Sequence, residues 1–214
     1  MFENLSRREI WRYLGYKGCQ PNEIVCRAVE EMIAQVEIVA APRQVSRRVT
    51  CSVADEMVEL GGCHVHSRSL AKHLRGCKEA FLFAATLGTG VDRLLQRYNR
   101  LQVSRAAVLQ AVSAAAVEEW CDLCQKQLED GLVPGLYLRP RYSPGYGDLS
   151  LEFQRPLLES LEAGKRIGIE LTDTLLMTPT KSVSAIIGIT SDQKSCTVHH
   201  CAACSKVDCP FRKE

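Results

Sequence analysis

The stretch Ala80-Phe-Leu-Phe-Ala-Ala-Thr86-Leu-Gly88-Thr-Gly90-Val-Asp-Arg93 decides between two fold classes. Ala80 to Thr86 reads as a buried strand, and the glycines at 88 and 90 open a helix. A strand, a Gly-x-Gly turn and a helix invite a nucleotide-fold reading, in which helix N-terminal amides face a phosphate. That fingerprint takes a third glycine for close helix packing, and Arg93 stands in its place. A bare Gly-x-Gly after a strand reads instead as a tight turn.

The flanking segments support an α+β fold. Pro21-Asn22 opens a helix with the apolar stripe Ile24, Val25, Ala28, Val29, Met32, Ile33 and Val36, and Pro42 follows its end. Val45 to Val65 mixes β-branched residues with a Gly61-Gly62 turn and reads as a β-hairpin. Ser67 can cap a short helix running through Leu74. A long helix is expected from about Gln102 to Leu128, with Val103, Ala107, Gln110, Ala114, Val117, Cys121, Cys124 and Leu128 facing the core. Gly131, Pro134 and Gly135 end it, and the Pro/Gly/Tyr-rich stretch from Pro134 to Asp148 reads as an exposed loop. A further helix covers roughly Leu151 to Ala163, with Pro156 in its first turn or at a kink. Strands are expected at Leu175–Met177 and Ser182–Thr190. With no internal repeat, this order favours one α+β domain over residues 1–190, followed by a cysteine-rich tail at 191–214.

Composition narrows the function. Balanced charge, 27 Lys+Arg against 25 Asp+Glu for a net +2, argues against a dedicated nucleic-acid binder, which needs a concentrated basic face. No apolar run approaches the roughly 20 residues of a spanning helix. The segment MFENLSRREIWRYLGYKG lacks the apolar core of a signal peptide, so a cytoplasmic protein without a membrane partner is expected. In a reducing compartment the 11 cysteines are core fillers, metal ligands or redox groups rather than disulfides.

Position separates those roles. Cys121-Asp-Leu-Cys124 has redox spacing, but both thiols fall on the apolar stripe near the end of a helix. A thioredoxin-like pair opens a helix, where the dipole lowers the thiol pKa, so this pair reads as buried small hydrophobes. His64 and His66 share a strand face beside Cys63 with no further ligand in view, and read as a solvated strand. The tail differs: Cys196, Cys201, Cys204 and Cys209, with His199 and His200 between them, crowd soft ligands into fourteen residues. Such spacing suits one metal centre, an iron–sulfur cluster or zinc. In the Pro134–Asp148 loop, Arg139 and Arg141 can take carboxylates, and Tyr142 and Tyr146 can lie against a heterocycle or a sulfonium.

Two motifs carry a family resemblance. Arg141-Tyr-Ser-Pro144-Gly145-Tyr146 resembles the RxxPGY signature of the activation domain of cobalamin-dependent methionine synthase. Leu171-Thr-Asp-Thr-Leu-Leu-Met177-Thr-Pro179-Thr-Lys-Ser182-Val183-Ser184 resembles that family's LTxxxxMxPxxSVS. The likeness runs from about Ala111 to Gly188. It implies an α+β domain with a bent antiparallel sheet and packed helices. It also implies S-adenosylmethionine binding, with Arg141 on the ligand carboxylate, Ser143 offering backbone hydrogen bonds and Tyr146 lining the groove. The family's N-terminal acidic ligand has Glu9 as its candidate here, and Ser195 and Cys196 stand where the family has an aromatic pair.

The implied partner is a cobalamin-binding methionine synthase or another corrinoid protein, whose stray cob(II)alamin is reduced with a flavodoxin or similar donor and remethylated. No aspartate is followed two residues later by histidine, so the cobalamin-ligand motif DxHxxG is missing and action in trans is expected. The alternative is an iron–sulfur or zinc redox or interaction protein on the same scaffold that no longer uses S-adenosylmethionine.

Overall fold

The structure, a computed structural model, describes residues 2, 5–16, 19 and 21–193. Its centre is a six-stranded sheet in the order β3-β2-β1-β4-β8-β5, with every neighbouring pair antiparallel. The strands are β1 (Arg43–Ala54), β2 (Met57–Leu60), β3 (Cys63–His66), β4 (Glu79–Thr86), β5 (Tyr137–Leu138) and β8 (Ser182–Thr190). A separate pair, β6 (Glu170–Leu171) with β7 (Met177–Thr178), precedes β8. This is the antiparallel α+β class expected from the order of elements.

Both faces of the sheet are covered, and β4 shows how one strand serves two cores. Side chains alternate across a strand, so Phe83 and Ala85 face one side while Ala80, Leu82 and Ala84 face the other. Against the first side pack α1 (Arg7–Tyr13), α2 (Glu23–Val39), α4 (Thr89–Leu101) and α5 (Val103–Asp130). Against the second pack α3 (Arg68–Leu74), α6 (Gln154–Ser160) and α7 (Ala163–Ile167). Burial on both faces explains why Ala80 to Thr86 is a continuous apolar run rather than an alternating one.

Local chemistry sets the ends of the elements. Asn22 caps α2, its Oδ1 accepting from Val25 N–H at 3.0 Å, and Ser67 Oγ does the same for α3 through Leu70 N–H at 3.1 Å. Gly61 and Gly62, with φ of +58° and +92°, form the two-residue turn from β2 to β3. The glycines at 88 and 90 serve packing. A methyl group at Gly90 would overlap the carbonyl oxygen of Val39 at the end of α2, so this position is where α4 and α2 touch.

Several expectations need correcting. The segment 45–65 is a three-strand meander, because Asp55 takes a left-handed conformation (φ 55°) and turns the chain a second time. On α5, Val103, Ala107 and Gln110 are exposed, while Ala106, Val108, Leu109, Val112, Ala115 and Ala116 are buried. This helix is flanked by α1, α2, α4 and the sheet, so small residues are buried over a wide arc rather than a narrow stripe. The helix expected over 151–163 is broken at Glu162, which is left-handed (φ 50°). Helix α1 has no counterpart among the elements expected from the sequence; Ser6 Oγ caps it by accepting from Glu9 N–H at 3.3 Å.

Candidate functional site

The Pro134–Asp148 segment is less exposed than its composition suggests, because much of it lies along β8 and forms the outer edge of the sheet there. Leu138 pairs with Ile189, Arg139 N–H donates to Gly188 O at 2.8 Å, and Tyr142 exchanges both backbone hydrogen bonds with Ile186. From 138 to 142 the chain advances four residues while β8 advances three, from 189 to 186. That extra residue is a β-bulge, and it changes which face the following side chains address. Leu138 joins the core beneath α5, whereas Tyr142 joins the core on the α3 side. Arg141 is consequently delivered to α5.

There Arg141 is held tightly. Its Nη2 donates to Asp122 Oδ1 at 2.7 Å and to Glu118 Oε2 at 3.0 Å, and its Nη1 donates to Gln125 Oε1 at 3.1 Å. Its side chain is 16% exposed, against 44% for Glu118 and 68% for Asp122. Burial works against its charge, but Asp122 and Glu118 more than compensate and hold the guanidinium above its ordinary range. Residues 118, 122 and 125 recur at helical spacing, so one face of α5 presents all three. Helix α1 packs on α5 near this cluster. Burial raises the Tyr13 phenol, with Glu118 adding to the effect; Arg12 lies 4.4 Å over the Tyr13 ring and pairs with Glu9 at 2.7 Å.

Below this cluster lie Cys121 and Cys124, both buried as expected. Burial pushes the Cys124 thiol up to about 11, with Arg141 pulling the other way, and pushes Cys121 up as well. A thiol held protonated at neutral pH is a core filler.

The remainder of the RxxPGY segment is a rigid turn. Gly145 (φ +90°) and Gly147 (φ +55°) allow it, and Tyr146 N–H donates to Ser143 O at 3.1 Å. Tyr142 lies between His73, tilted against it at 4.9 Å, and Tyr146, edge-on at 5.8 Å, and its hydroxyl donates to Tyr146 O at 3.2 Å. Asp148 fastens the turn to the start of α3 by accepting from Ser67 Oγ, Arg68 N–H and Ser69 N–H at 2.6, 3.0 and 3.0 Å. These bonds, Ser67 foremost, hold its carboxyl well below the usual range. What the turn offers to solvent is Tyr146, 56% exposed, beside the half-buried Ser143.

The second motif organises the entry to β8. Thr172 Oγ1 accepts from Leu176 N–H at 3.1 Å, Pro179 follows a cis peptide bond, and Ser182 Oγ lies 2.6 Å from Pro179 O and 2.8 Å from Thr86 Oγ1. Asp92 of α4 accepts from Thr180 N–H and Thr180 Oγ1, at 2.8 and 2.6 Å. The polar residues of this motif therefore tie chain segments together.

Of the candidate ligands, Arg141 is joined by Glu118, Asp122 and Gln125, whose only signal in the sequence is their 118/122/125 spacing along one helix. Glu9 is on α1, the helix that brings Tyr13 beside Glu118. Cys196, Cys201, Cys204, Cys209 and Ser195 lie outside the described residues. Among the described residues no group of three or more His, Cys, Asp or Glu side chains is arranged to hold a metal, and no helix is long and apolar enough to cross a membrane. His66 faces Glu56 at 3.4 Å on the exposed meander.

The family model for the vitamin B12 dependent methionine synthase activation domain matches residues 71–209, a span holding both motifs and all four tail cysteines. Among solved structures, the MetH reactivation domain bound to AdoHcy is similar, with a TM-score of 0.63 and 16% identity over 86% of this chain and 75% of that one. At that identity the likeness is one of fold. No curated protein sequence matches the chain significantly.

Proposed function

The chain belongs to the family of the vitamin B12-dependent methionine synthase activation domain, and from that premise we propose that it reactivates a cobalamin-dependent methyltransferase by binding S-adenosylmethionine and docking on the cobalamin protein. The observation that carries this reading is Arg141, aimed by the β-bulge into a half-open cluster beside α5. S-adenosylmethionine carries a carboxylate, an ammonium, a sulfonium and an adenine, and the residues present fit each in kind. Arg141 takes the carboxylate, Glu118 and Asp122 suit the cationic groups, Ser143 offers backbone hydrogen bonds, and the exposed ring of Tyr146 gives a face for the heterocycle. The fold neighbour was solved with AdoHcy, the demethylated counterpart of that ligand, which supports the same assignment. The ligand, when bound, supplies the methyl group for the partner's cobalamin. This chain's part is to orient it and to present it on a docking surface, acting in trans, with a flavodoxin or similar protein as electron donor.

A second proposal concerns the tail. Cys196, Cys201, Cys204 and Cys209 are proposed as the ligands of one metal centre, iron–sulfur or zinc, on a segment 191–214 that follows the 1–190 domain. The spacing of soft ligands supports it. An iron–sulfur centre would give reductive remethylation a place to receive an electron, whereas zinc would make the tail structural. Anaerobic preparation should yield near-stoichiometric iron with sulfide, or zinc, that disappears when Cys201 and Cys204 become alanine; metal-free protein whose four tail cysteines are all alkylatable would end the proposal. For the main reading, the chain is added to a cobalamin methyltransferase trapped as cob(II)alamin, with S-adenosylmethionine and a reductant. The methylcobalamin absorption should return only when all components are present. Recovery at the same rate without this chain would remove the proposed role.

A further inference from the structure

We propose that Asp122 and Glu118 form a carboxylate latch on Arg141, and that a ligand carboxylate is admitted only as Asp122 lets go. This rests on the reading of the site as one for S-adenosylmethionine. A guanidinium takes a carboxylate through two parallel bonds on one of two edges, Nε with Nη2 or Nη1 with Nη2. Both edges use Nη2, which has only two hydrogens. In this structure one goes to Asp122 at 2.7 Å and the other to Glu118 at 3.0 Å. Gln125 takes a hydrogen of Nη1 at 3.1 Å. What remains is the Nε hydrogen and one on Nη1, which do not share an edge. Arg141 therefore has no complete fork to offer while both carboxylates hold it.

The two acids are not equivalent. Glu118 is the less exposed, and the Tyr13 phenol of α1 lies in its field. Asp122 has a short side chain that is 68% exposed, so water can solvate it once it leaves. Asp122 is the member that moves and Glu118 the one that keeps Arg141 aimed. Displacing one solvated ion pair weakens carboxylate recognition severalfold without abolishing it. The site is thus biased toward the cationic part of its ligand. Asp122 acts as a specificity-determining residue that sets how much the carboxylate contributes.

The test compares S-adenosylmethionine with its decarboxylated analogue, which keeps the ammonium and the sulfonium but has nothing for Arg141. The ratio of the two affinities isolates the carboxylate and cancels any general effect of charge on the cationic groups. In Asp122→Asn that ratio should rise about three- to fivefold over wild type, the worth of one exposed ion pair. In parallel, nitrogen NMR of the arginine side chains should show slowly exchanging Nη hydrogens on Arg141 in unliganded wild type, and faster exchange in Asp122→Asn. An unchanged or lower ratio with intact binding overturns the latch and leaves the ligand assignment standing. Failure of both proteins to bind either ligand, with Arg141 still protected from exchange, instead overturns the ligand assignment and leaves only an ion-pair cluster.

Discussion

An alanine at position 90 separates the packing role of the Gly-x-Gly turn from a phosphate-cradling one. Gly90 lies in the first turn of α4, and the methyl group of an alanine would overlap the Val39 carbonyl oxygen. That oxygen cannot swing aside, because Ala40 N–H is bonded to Val36 O at 2.8 Å and Ala41 N–H to Leu87 O at 2.9 Å. Overpacking a close contact costs about 1–3 kcal/mol, and a fixed backbone partner puts this site at the upper end. Replacing a helical glycine returns about 0.5–1 kcal/mol of chain entropy. The net loss is about 2 kcal/mol, a fall of about 4–8 °C in Tm for a chain of this size. Urea unfolding of Gly90→Ala should show a lower midpoint with an unchanged slope. An unchanged or higher midpoint would mean that α2 and α4 do not meet at this glycine.

Two further outcomes follow from the site. Native protein treated with a thiol reagent at pH 8 should keep Cys121 and Cys124 unmodified, since burial raises both thiols, Cys124 to about 11; rapid labelling of either would revive a redox role for the pair. Asp148, whose folded carboxyl titrates below its ordinary value of about 3.9, contributes stability that is complete above that value and is lost as pH falls below it. Asp148→Asn should therefore lower the Tm at pH 7 and flatten its fall between about pH 4 and 2, and a parallel pH profile would contradict the helix-capping role.

The parts of this fold that were legible in the sequence are those governed by local chemistry. Asn22 and Ser67 mark helix starts because each side chain accepts from the N–H three residues further on, and Gly61-Gly62 marks a turn because both residues need positive φ. The buried strand at Ala80–Thr86 declares itself by a run too apolar for a surface. The missed features depend on tertiary context. Helix α1 is short and only Ile10 of it is fully buried, so it has no stripe of its own. The phase of α5 was misread because burial on several sides selects small residues, and alanine carries little periodic signal.

The site divides in the same way. Arg141, Ser143 and Tyr146 stand out through motif and loop chemistry, but Glu118 and Asp122 are acidic residues off the apolar stripe of a helix, and no motif marks them. Only the bulge opposite β8, a pairing made across many residues of sequence, reveals that this face meets an arginine. The LTxxxxMxPxxSVS motif illustrates the converse: it is legible as a signature, while the hydrogen bonds by which its residues hold Pro179 and the start of β8 are visible only in the fold.

Calorimetric titration of S-adenosylmethionine into wild type and Arg141→Ala tests the central claim most directly. Losing a charged hydrogen-bond partner costs about 1.5–3 kcal/mol, and the need to displace Asp122 puts this case at the lower end, about tenfold in affinity. The account predicts measurable binding by wild type and binding about tenfold weaker by the variant, with both proteins folded. Equal affinities, or no binding by wild type, would contradict it.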